Sequence, residues 1–218
     1  MGSGSPSSLP PFDLLETLRW TPDEQYFLLE RHLRRLQEGA RYAGYPCSLD
    51  RVRALLERAV VGATAPQRVR LLVDSRGEPR IELGPLESSP VPMRVGLAEG
   101  PIDPRLPLLF HKTTSRQHLE RQRLAGHDDT VLWNPAGEVT ETLIANLVVE
   151  LDGRRVTPPV ECGLLPGTLR ADLLERGEIA ERRISVEQFR RARKIWLINS
   201  VRGWMDAVLA ANPDAGRP

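Results

Sequence analysis

Three prolines fall within the segment EGPIDPRLPLLF, at 99–110 in the middle of the chain. Proline has no backbone N–H and a fixed φ angle, so such a segment is unsuited to the interior of a helix or a sheet. Regular patterns of apolar and polar residues continue on both sides of it. We therefore predict an interdomain crossover at 99–110 that joins two α+β domains, with a cleft between them that can hold a ligand.

The residues before the crossover predict a small α+β domain over 11–98, preceded by a flexible, linker-like N-terminus at 1–10 that is rich in Gly, Ser and Pro. Apolar periodicity and turn residues indicate its elements. The predicted elements are strands at 12–20 and 26–29, helices at 30–45 and 49–60, a hairpin at 67–83 and a strand at 91–98.

The residues after the crossover predict a larger domain over 111–210, followed by a frayed C-terminus at 211–218. Ser or Thr residues that can cap helices and short apolar runs indicate its elements. The predicted elements are helices at 114–126, 168–177 and 186–192, strands at 130–134, 143–152 and 194–200, and a closing segment at 204–209.

Composition excludes several functional classes. Lys and Arg total 30 against 29 Asp and Glu, which does not indicate a basic nucleic-acid-binding protein. No apolar run is long enough to span a membrane, and the first residues lack the charged and apolar regions of a secretory signal. Two cysteines make no disulfide framework, and the four histidines have no metal-ligand spacing. We expect a cytoplasmic protein without a metal site, membrane contact or nucleic-acid partner.

Lysine is almost absent, because 28 of the 30 basic residues are Arg and only Lys112 and Lys194 are Lys. Arginine cannot replace a lysine that must become neutral to act as a nucleophile. Lys194 precedes a buried strand, and we interpret its presence as chance, without a special function. Lys112 follows the apolar run LPLLF, where burial would lower its pKa. A reactive amine and a surface lysine are equally consistent with this position.

Other candidate residues are individually ambiguous. Glu141 could pair with a ring nitrogen or an Arg, or be an ordinary strand-edge residue. The GLLPGTLR segment at 163–170 opens a helix whose free N–H groups could bind phosphate. Arg35 borders the apolar stripe of the first helix, and Ser200 and Arg202 follow a strand. Together, an amine, an acid, an Arg and a helix start are what pyridoxal phosphate requires.

The order of these motifs resembles a known family. The segments FLLERHLRRL, HKTTSR, VTETLIANL, TPPVECGLLPGTLR and LINSVRG resemble the fold-type IV pyridoxal-phosphate enzymes, the class-IV aminotransferase family, over about residues 12–209. This implies an α+β, D-amino-acid aminotransferase-like fold in which 111–210 is the cofactor-binding domain. Within the family, FDLLETLRW, HKTT, LLPGTLR and INSVRGW most resemble the aminodeoxychorismate lyases, as in the lyase half of fusions with aminodeoxychorismate synthase.

The resemblance implies a role for each candidate residue. Lys112 would be catalytic and hold the cofactor covalently, and Thr17 matches a position close to the catalytic Lys in the lyases. Glu141 would bind the pyridine nitrogen, and Arg202 is a candidate for a substrate carboxylate. The other implied cofactor-binding residues are Arg35, Asn146, Thr168, Leu169, Ser200 and Val201.

The implied activity is cleavage of 4-amino-4-deoxychorismate to 4-aminobenzoate and pyruvate, a step of folate precursor synthesis, by a homodimer with or without a fused or partner synthase. A transaminase acting on branched-chain or D-amino acids is the first alternative. A degenerate, non-catalytic domain is the second. It is motivated by the linker-like N-terminus. Separately, Gln117, His118 and Leu119 stand where the family often has an aromatic residue, which would be consistent with a weakened or altered activity.

Overall fold

The computed structural model describes residues 12–210, so the predictions for 1–10 and 211–218 lie outside the described residues. The elements of the first sheet and its helices are β1 (Leu14–Thr21), β2 (Gln25–Tyr26), α1 (Leu29–Ala43), α2 (Leu49–Ala59), β3 (Gln67–Val73) and β4 (Pro79–Pro85). The elements that follow are β5 (Met93–Leu97), α3 (Gln117–Glu120), β6 (Asp129–Trp133), β7 (Val139–Thr142), β8 (Asn146–Leu151), β9 (Arg154–Thr157), α4 (Thr168–Glu175), β10 (Ala180–Glu181), α5 (Val186–Arg191), β11 (Ile195–Asn199) and β12 (Gly203–Leu209).

The first sheet has four antiparallel strands in the order β2-β1-β3-β4. Successive side chains of a strand point to opposite faces. Leu14 and Leu18 of β1 therefore face α1 and α2, where they join a core with Leu33 and Leu56. The opposite face of β1 carries Thr17 and faces the rest of the protein.

The second sheet has eight strands in the order β10-β9-β8-β11-β12-β5-β6-β7, and β7 also pairs with β8. This last pairing joins Glu141 to Asn146 and closes six of the strands into a ring. Leu147, Leu197 and Phe189 are among the fully buried residues of its core. The predicted α+β class is confirmed, and no helix of residues 12–210 is long and apolar enough to cross a membrane.

Three local predictions differ from the structure. The strand predicted at 26–29 ends at Tyr26, because Leu28 adopts a left-handed conformation (φ 55°) from which α1 begins. The helix predicted at 114–126 covers only Gln117–Glu120, because the Thr114 N–H donates to Asp13 O at 2.9 Å and holds Thr114 against β1. The strand predicted at 91–98 as part of the first domain is β5. It pairs in parallel with β6 and β12, so it lies in the second sheet.

Candidate active site

Lys112 lies where the crossover meets the first sheet. After a single 3-10 turn at Pro107–Leu109, the Lys112 carbonyl accepts a hydrogen bond from the Leu15 N–H at 2.9 Å. Thr113 forms an isolated bridge with Leu14. The apolar run LPLLF before Lys112 therefore forms no strand, and the start of β1 holds this backbone instead. The Lys112 side chain lines a cavity of about 250 Å³ between the two sheets.

The Lys112 amine has the properties of a nucleophile. Burial and the nearby Arg35 guanidinium lower its pKa from 10.5 to about 8. At pH 7 roughly a tenth of the amine is therefore unprotonated, and only that form can attack a carbonyl carbon.

Glu141 is a buried acid, 6% exposed, that lines the same cavity. It lies in β7, where this strand pairs with β8. Its Oε1 accepts the Leu165 N–H at 3.1 Å, and its Oε2 lies 3.3 Å from Asn146 Nδ2. Asn146 Nδ2 also donates to Leu165 O at 2.9 Å. Burial raises the pKa of Glu141 to about 8, although the Leu165 N–H and the nearby Arg116 and Lys112 cations oppose the shift. A cationic or N–H group placed beside it would stabilise the carboxylate.

The hairpin turn after Glu141 is fixed through both backbone groups of Leu143. The Leu143 N–H donates to Asp129 Oδ1 at 3.1 Å, and the Leu143 carbonyl accepts a hydrogen bond from the Arg116 guanidinium. Asp129 is itself buried in β6, and burial raises its pKa. These contacts orient the turn that follows Glu141.

The start of α4 forms one wall of the cavity. Gly167 occupies the N-cap position, and no side chain caps the helix, so the N–H groups of Thr168 and Leu169 have no intrahelical acceptor. These free N–H groups and the positive end of the helix dipole attract an anion. Gly167 also packs closely on Asn146, since a methyl group there would lie 1.9 Å from Asn146 Oδ1.

Arg35 lies on the cavity wall and belongs to a buried network. Its Nε donates to Glu16 Oε1 at 2.9 Å and its Nη2 to Glu16 Oε2 at 2.6 Å. His32 Nδ1 lies 2.6 Å from Glu16 Oε2, and His32 Nε2 lies 3.3 Å from Thr168 Oγ1. Burial alone would raise the pKa of Glu16, but Arg35 and then His32 outweigh it and lower the pKa to about 2. Glu16 is therefore a carboxylate that fixes Arg35.

The structure brings every residue proposed from the sequence onto one cavity. The residues are Thr17, Arg35, Lys112, Glu141, Asn146, Thr168, Leu169, Ser200, Val201 and Arg202. The backbone N–H groups of Val201 and Arg202 are both occupied, because they donate to Asn199 Oδ1 at 3.0 and 2.8 Å. The sequence reasoning missed Glu16 and His32. Their signal was available, since Glu16 interrupts the apolar face of β1 and His32 lies in the apolar stripe of α1.

The donor set fits pyridoxal phosphate. An amine with a lowered pKa and a buried acid line the same space, and the uncapped α4 start beside Arg35 supplies N–H groups for a phosphate. Asn146, which contacts Glu141, packs directly on Gly167, so a larger residue at position 167 would collide with it. Among residues 12–210 no cluster of His, Cys, Asp and Glu side chains is arranged to hold a metal ion.

The sequence matches a protein family over almost all of the described chain. The family described as amino-transferase class IV matches residues 13–209. A Schizosaccharomyces pombe protein named as a candidate aminodeoxychorismate lyase is 28% identical over 213 residues, which cover 93% of this chain and 91% of that protein.

Solved structures show the same fold. A candidate amino-acid aminotransferase from Mesorhizobium loti is 34% identical and superposes with a TM-score of 0.85, covering 91% of this chain and all of that chain. The 4-amino-4-deoxychorismate lyase from Pseudomonas aeruginosa is 24% identical with a TM-score of 0.74, covering 94% of this chain and 88% of that chain. At this lower identity the second likeness concerns the fold alone.

Proposed function

The chain belongs to the class-IV aminotransferase family of pyridoxal-phosphate enzymes, and we propose that it is a 4-amino-4-deoxychorismate lyase that forms 4-aminobenzoate and pyruvate. The observation that carries the proposal is the meeting of Lys112, Glu141 and the α4 start on one cavity. The lyase is favoured over other family activities by Thr17, which lines the same cavity at the position typical of the lyases, and by the S. pombe relative.

Each side chain has a defined task in this proposal. Lys112 holds the cofactor through Nζ, Glu141 keeps a proton on the ring nitrogen, and Arg35 with the α4 N–H groups binds the phosphate. Arg202 binds a substrate carboxylate. When bound, pyridoxal phosphate supplies an electron sink for the carbon that carries the substrate amine.

Lys112 is also the general base. Its free Nζ would accept the proton from the ring carbon that carries the substrate amine. A pKa of about 8 suits proton transfer near neutral pH. The C–O bond to the enolpyruvyl group would then break as the ring becomes aromatic. The proton held at Lys112 would pass to the leaving enolpyruvate and give pyruvate. The atoms of the two products sum to those of the substrate, so the reaction needs neither water nor a keto acid.

The alternative is a transaminase for branched-chain or D-amino acids, favoured by the 34% identity to the M. loti aminotransferase. It would use the same amine, acid and phosphate site. The two reactions differ in their need for a keto-acid acceptor. A transaminase must have one to complete its cycle, whereas the lyase reaction regenerates the enzyme by itself.

The deciding experiment is a product assay on the purified holoenzyme with aminodeoxychorismate and no keto acid. We expect pyruvate and 4-aminobenzoate in equal amounts over many turnovers. Turnover that strictly requires an added keto acid would overturn the lyase in favour of the transaminase. A protein that takes up no cofactor, judged from its visible absorption spectrum, would support the degenerate domain.

The assembly and location remain proposals. We propose a homodimer, with or without a fused or partner aminodeoxychorismate synthase, in the cytoplasm. Light scattering coupled to size-exclusion chromatography measures the dimer directly. A monomer at micromolar concentration with full activity would contradict it.

A further inference from the structure

Four guanidinium groups line the active-site cavity, those of Arg35, Arg68, Arg116 and Arg202. Two of them already have acidic neighbours, since Arg35 binds Glu16 and Arg116 lies 3.9 Å from a carboxylate of α3. Arg68 and Arg202 take part in none of the ion pairs formed within residues 12–210. Arg68 is exposed and Arg202 is half-buried, so solvent or a bound ligand can supply the counter-charge of these two cations.

Arg68 extends from β3 on the sheet face that carries Thr17. In the register it lies opposite Arg19 on one side and Gly84 on the other. A methyl group at Gly84 would lie 3.3 Å from Arg68 Nη2, so the guanidinium lies over this glycine. The other arginines of this face are each paired with a carboxylate. The pairs are Arg19–Glu24, Arg70–Glu82 and Arg80–Asp13.

Arg202 enters the cavity from the second sheet. It lies in the turn between β11 and β12, where Asn199 Oδ1 accepts the Arg202 N–H at 2.8 Å and fixes the backbone. Its side-chain Nε is buried and has no hydrogen-bond partner within the described residues. An unpartnered buried N–H is costly unless a ligand satisfies it. Arg68 and Arg202 thus line the same cavity from two places in the fold, β3 of the first sheet and the turn between β11 and β12.

We propose that Arg68 and Arg202 bind two different carboxylates of one substrate, so that the site selects a dicarboxylate. This rests on the proposed function and assigns a new residue to it, Arg68. A guanidinium binds a carboxylate through two parallel N–H groups, which gives orientation as well as affinity. Aminodeoxychorismate carries one carboxylate on the ring and one on the enolpyruvyl group. A branched-chain amino acid has only one, which would leave one guanidinium without a partner.

The test measures binding of chorismate to the holoenzyme by calorimetry. Chorismate has both carboxylates of the proposed substrate but a hydroxyl in place of the amine, so it cannot react with the cofactor. For Arg68→Gln we expect a Kd at least about tenfold higher than in wild type. The Kd of Arg68→Lys should fall between those of wild type and Arg68→Gln, because the positive charge remains but the two parallel N–H donors of the guanidinium are lost. In turnover, Arg68→Gln should raise KM for aminodeoxychorismate far more than it lowers kcat.

Arg76→Gln is the matched control. Arg76 is exposed in the turn between β3 and β4 and does not line the cavity. Its replacement by Gln removes the same charge as Arg68→Gln does. Its chorismate Kd should stay within about twofold of wild type. Equal Kd values for Arg68→Gln and Arg76→Gln in folded proteins would overturn the role of Arg68.

The double variant Arg68→Gln/Arg202→Gln tests whether the two groups bind different carboxylates. The effects of the single variants should then multiply, because the contacts are independent. A double variant no weaker than the worse single variant would place both groups on one carboxylate and overturn the dicarboxylate site. Chorismate binding is read without turnover. A wild-type enzyme that binds chorismate but releases no pyruvate therefore overturns the proposed reaction alone.

Discussion

The Glu16 carboxylate holds the Arg35 guanidinium through two hydrogen bonds, one from Nε at 2.9 Å and one from Nη2 at 2.6 Å. Glu16 is 1% exposed and His32, its other partner, is also 1% exposed. A buried carboxylate left without its cation is strongly unfavourable. Arg35 is therefore part of the folded core between β1 and α1 as well as a candidate phosphate ligand.

Removing the Arg35 side chain should destabilise the apoenzyme. We expect Arg35→Ala to lower the free energy of unfolding by about 3–5 kcal/mol, because Glu16 keeps its charge in a buried site. The double variant Glu16→Gln/Arg35→Ala should recover part of this loss, since no uncompensated charge remains. Urea unfolding followed by circular dichroism measures both.

Arg34→Ala is the control for this prediction. Arg34 directly precedes Arg35 on α1 and is exposed, so its removal should change the free energy of unfolding by only about 0.5 kcal/mol or less. If Arg35→Ala unfolds at the same urea concentration as Arg34→Ala, the buried ion pair contributes nothing and Arg35 is only a ligand contact.

Much of this site could be predicted from the sequence, because Lys112, Glu141 and the α4 start lie in short local motifs. The Glu16–Arg35 pair could not, because it depends on how β1 and α1 face each other. The only sequence feature that indicated this pair was a charged residue, Glu16, at a core-facing position of a strand. The helix expected from Thr114 onward was wrong for a similar reason. Thr114 bonds to Asp13, which is 101 residues away in sequence.

Glu141 should make stability depend on pH in a defined direction. Its pKa rises from 4.5 in the unfolded chain to about 8 in the fold, so the folded state prefers the protonated form. Its contribution is fully present below about pH 4.5 and is lost as the pH rises towards about 8. Glu141→Gln cannot ionise, so its stability relative to wild type should increase over this window.

Urea unfolding of the two apoenzymes at about pH 5, 7 and 9 measures the difference. Removing the cofactor is necessary, because a bound ring nitrogen would change the environment of the carboxyl group. A difference that is constant with pH would show that Glu141 has an ordinary pKa and is not desolvated.

Gly167→Ala should disturb the acid side of the cavity. The added methyl group would lie 1.9 Å from Asn146 Oδ1, so Asn146 must move and lose its contacts to Glu141 and to Leu165 O. We expect roughly 1–3 kcal/mol of destabilisation from the overpacking, and weaker uptake of pyridoxal phosphate by the apoenzyme. Fluorescence titration measures the uptake.

Gly100→Ala is the matched control for Gly167→Ala. A methyl group at Gly100 meets no atom within 4 Å, and its φ angle is not in the left-handed region. This variant should bind the cofactor as wild type does. If Gly167→Ala binds the cofactor as tightly as Gly100→Ala does, the backbone before α4 accommodates the methyl group without displacing Asn146.

The last prediction concerns the reactivity of Lys112 itself. Its pKa of about 8 leaves roughly a tenth of the amine neutral at pH 7, and its side chain lines an open cavity. In the apoenzyme, acetylation of Lys112 by a small anhydride should therefore rise through a midpoint near pH 8. The chain has only one other lysine, Lys194, which is exposed 3.4 Å from Glu150 and gives an internal reference in the same digest. In the holoenzyme, Lys112 should be protected from acetylation, and borohydride should fix the pyridoxyl group on its peptide. Acetylation of Lys112 that is equal with and without cofactor, or a pyridoxyl group on the Lys194 peptide, would contradict the assignment of Lys112.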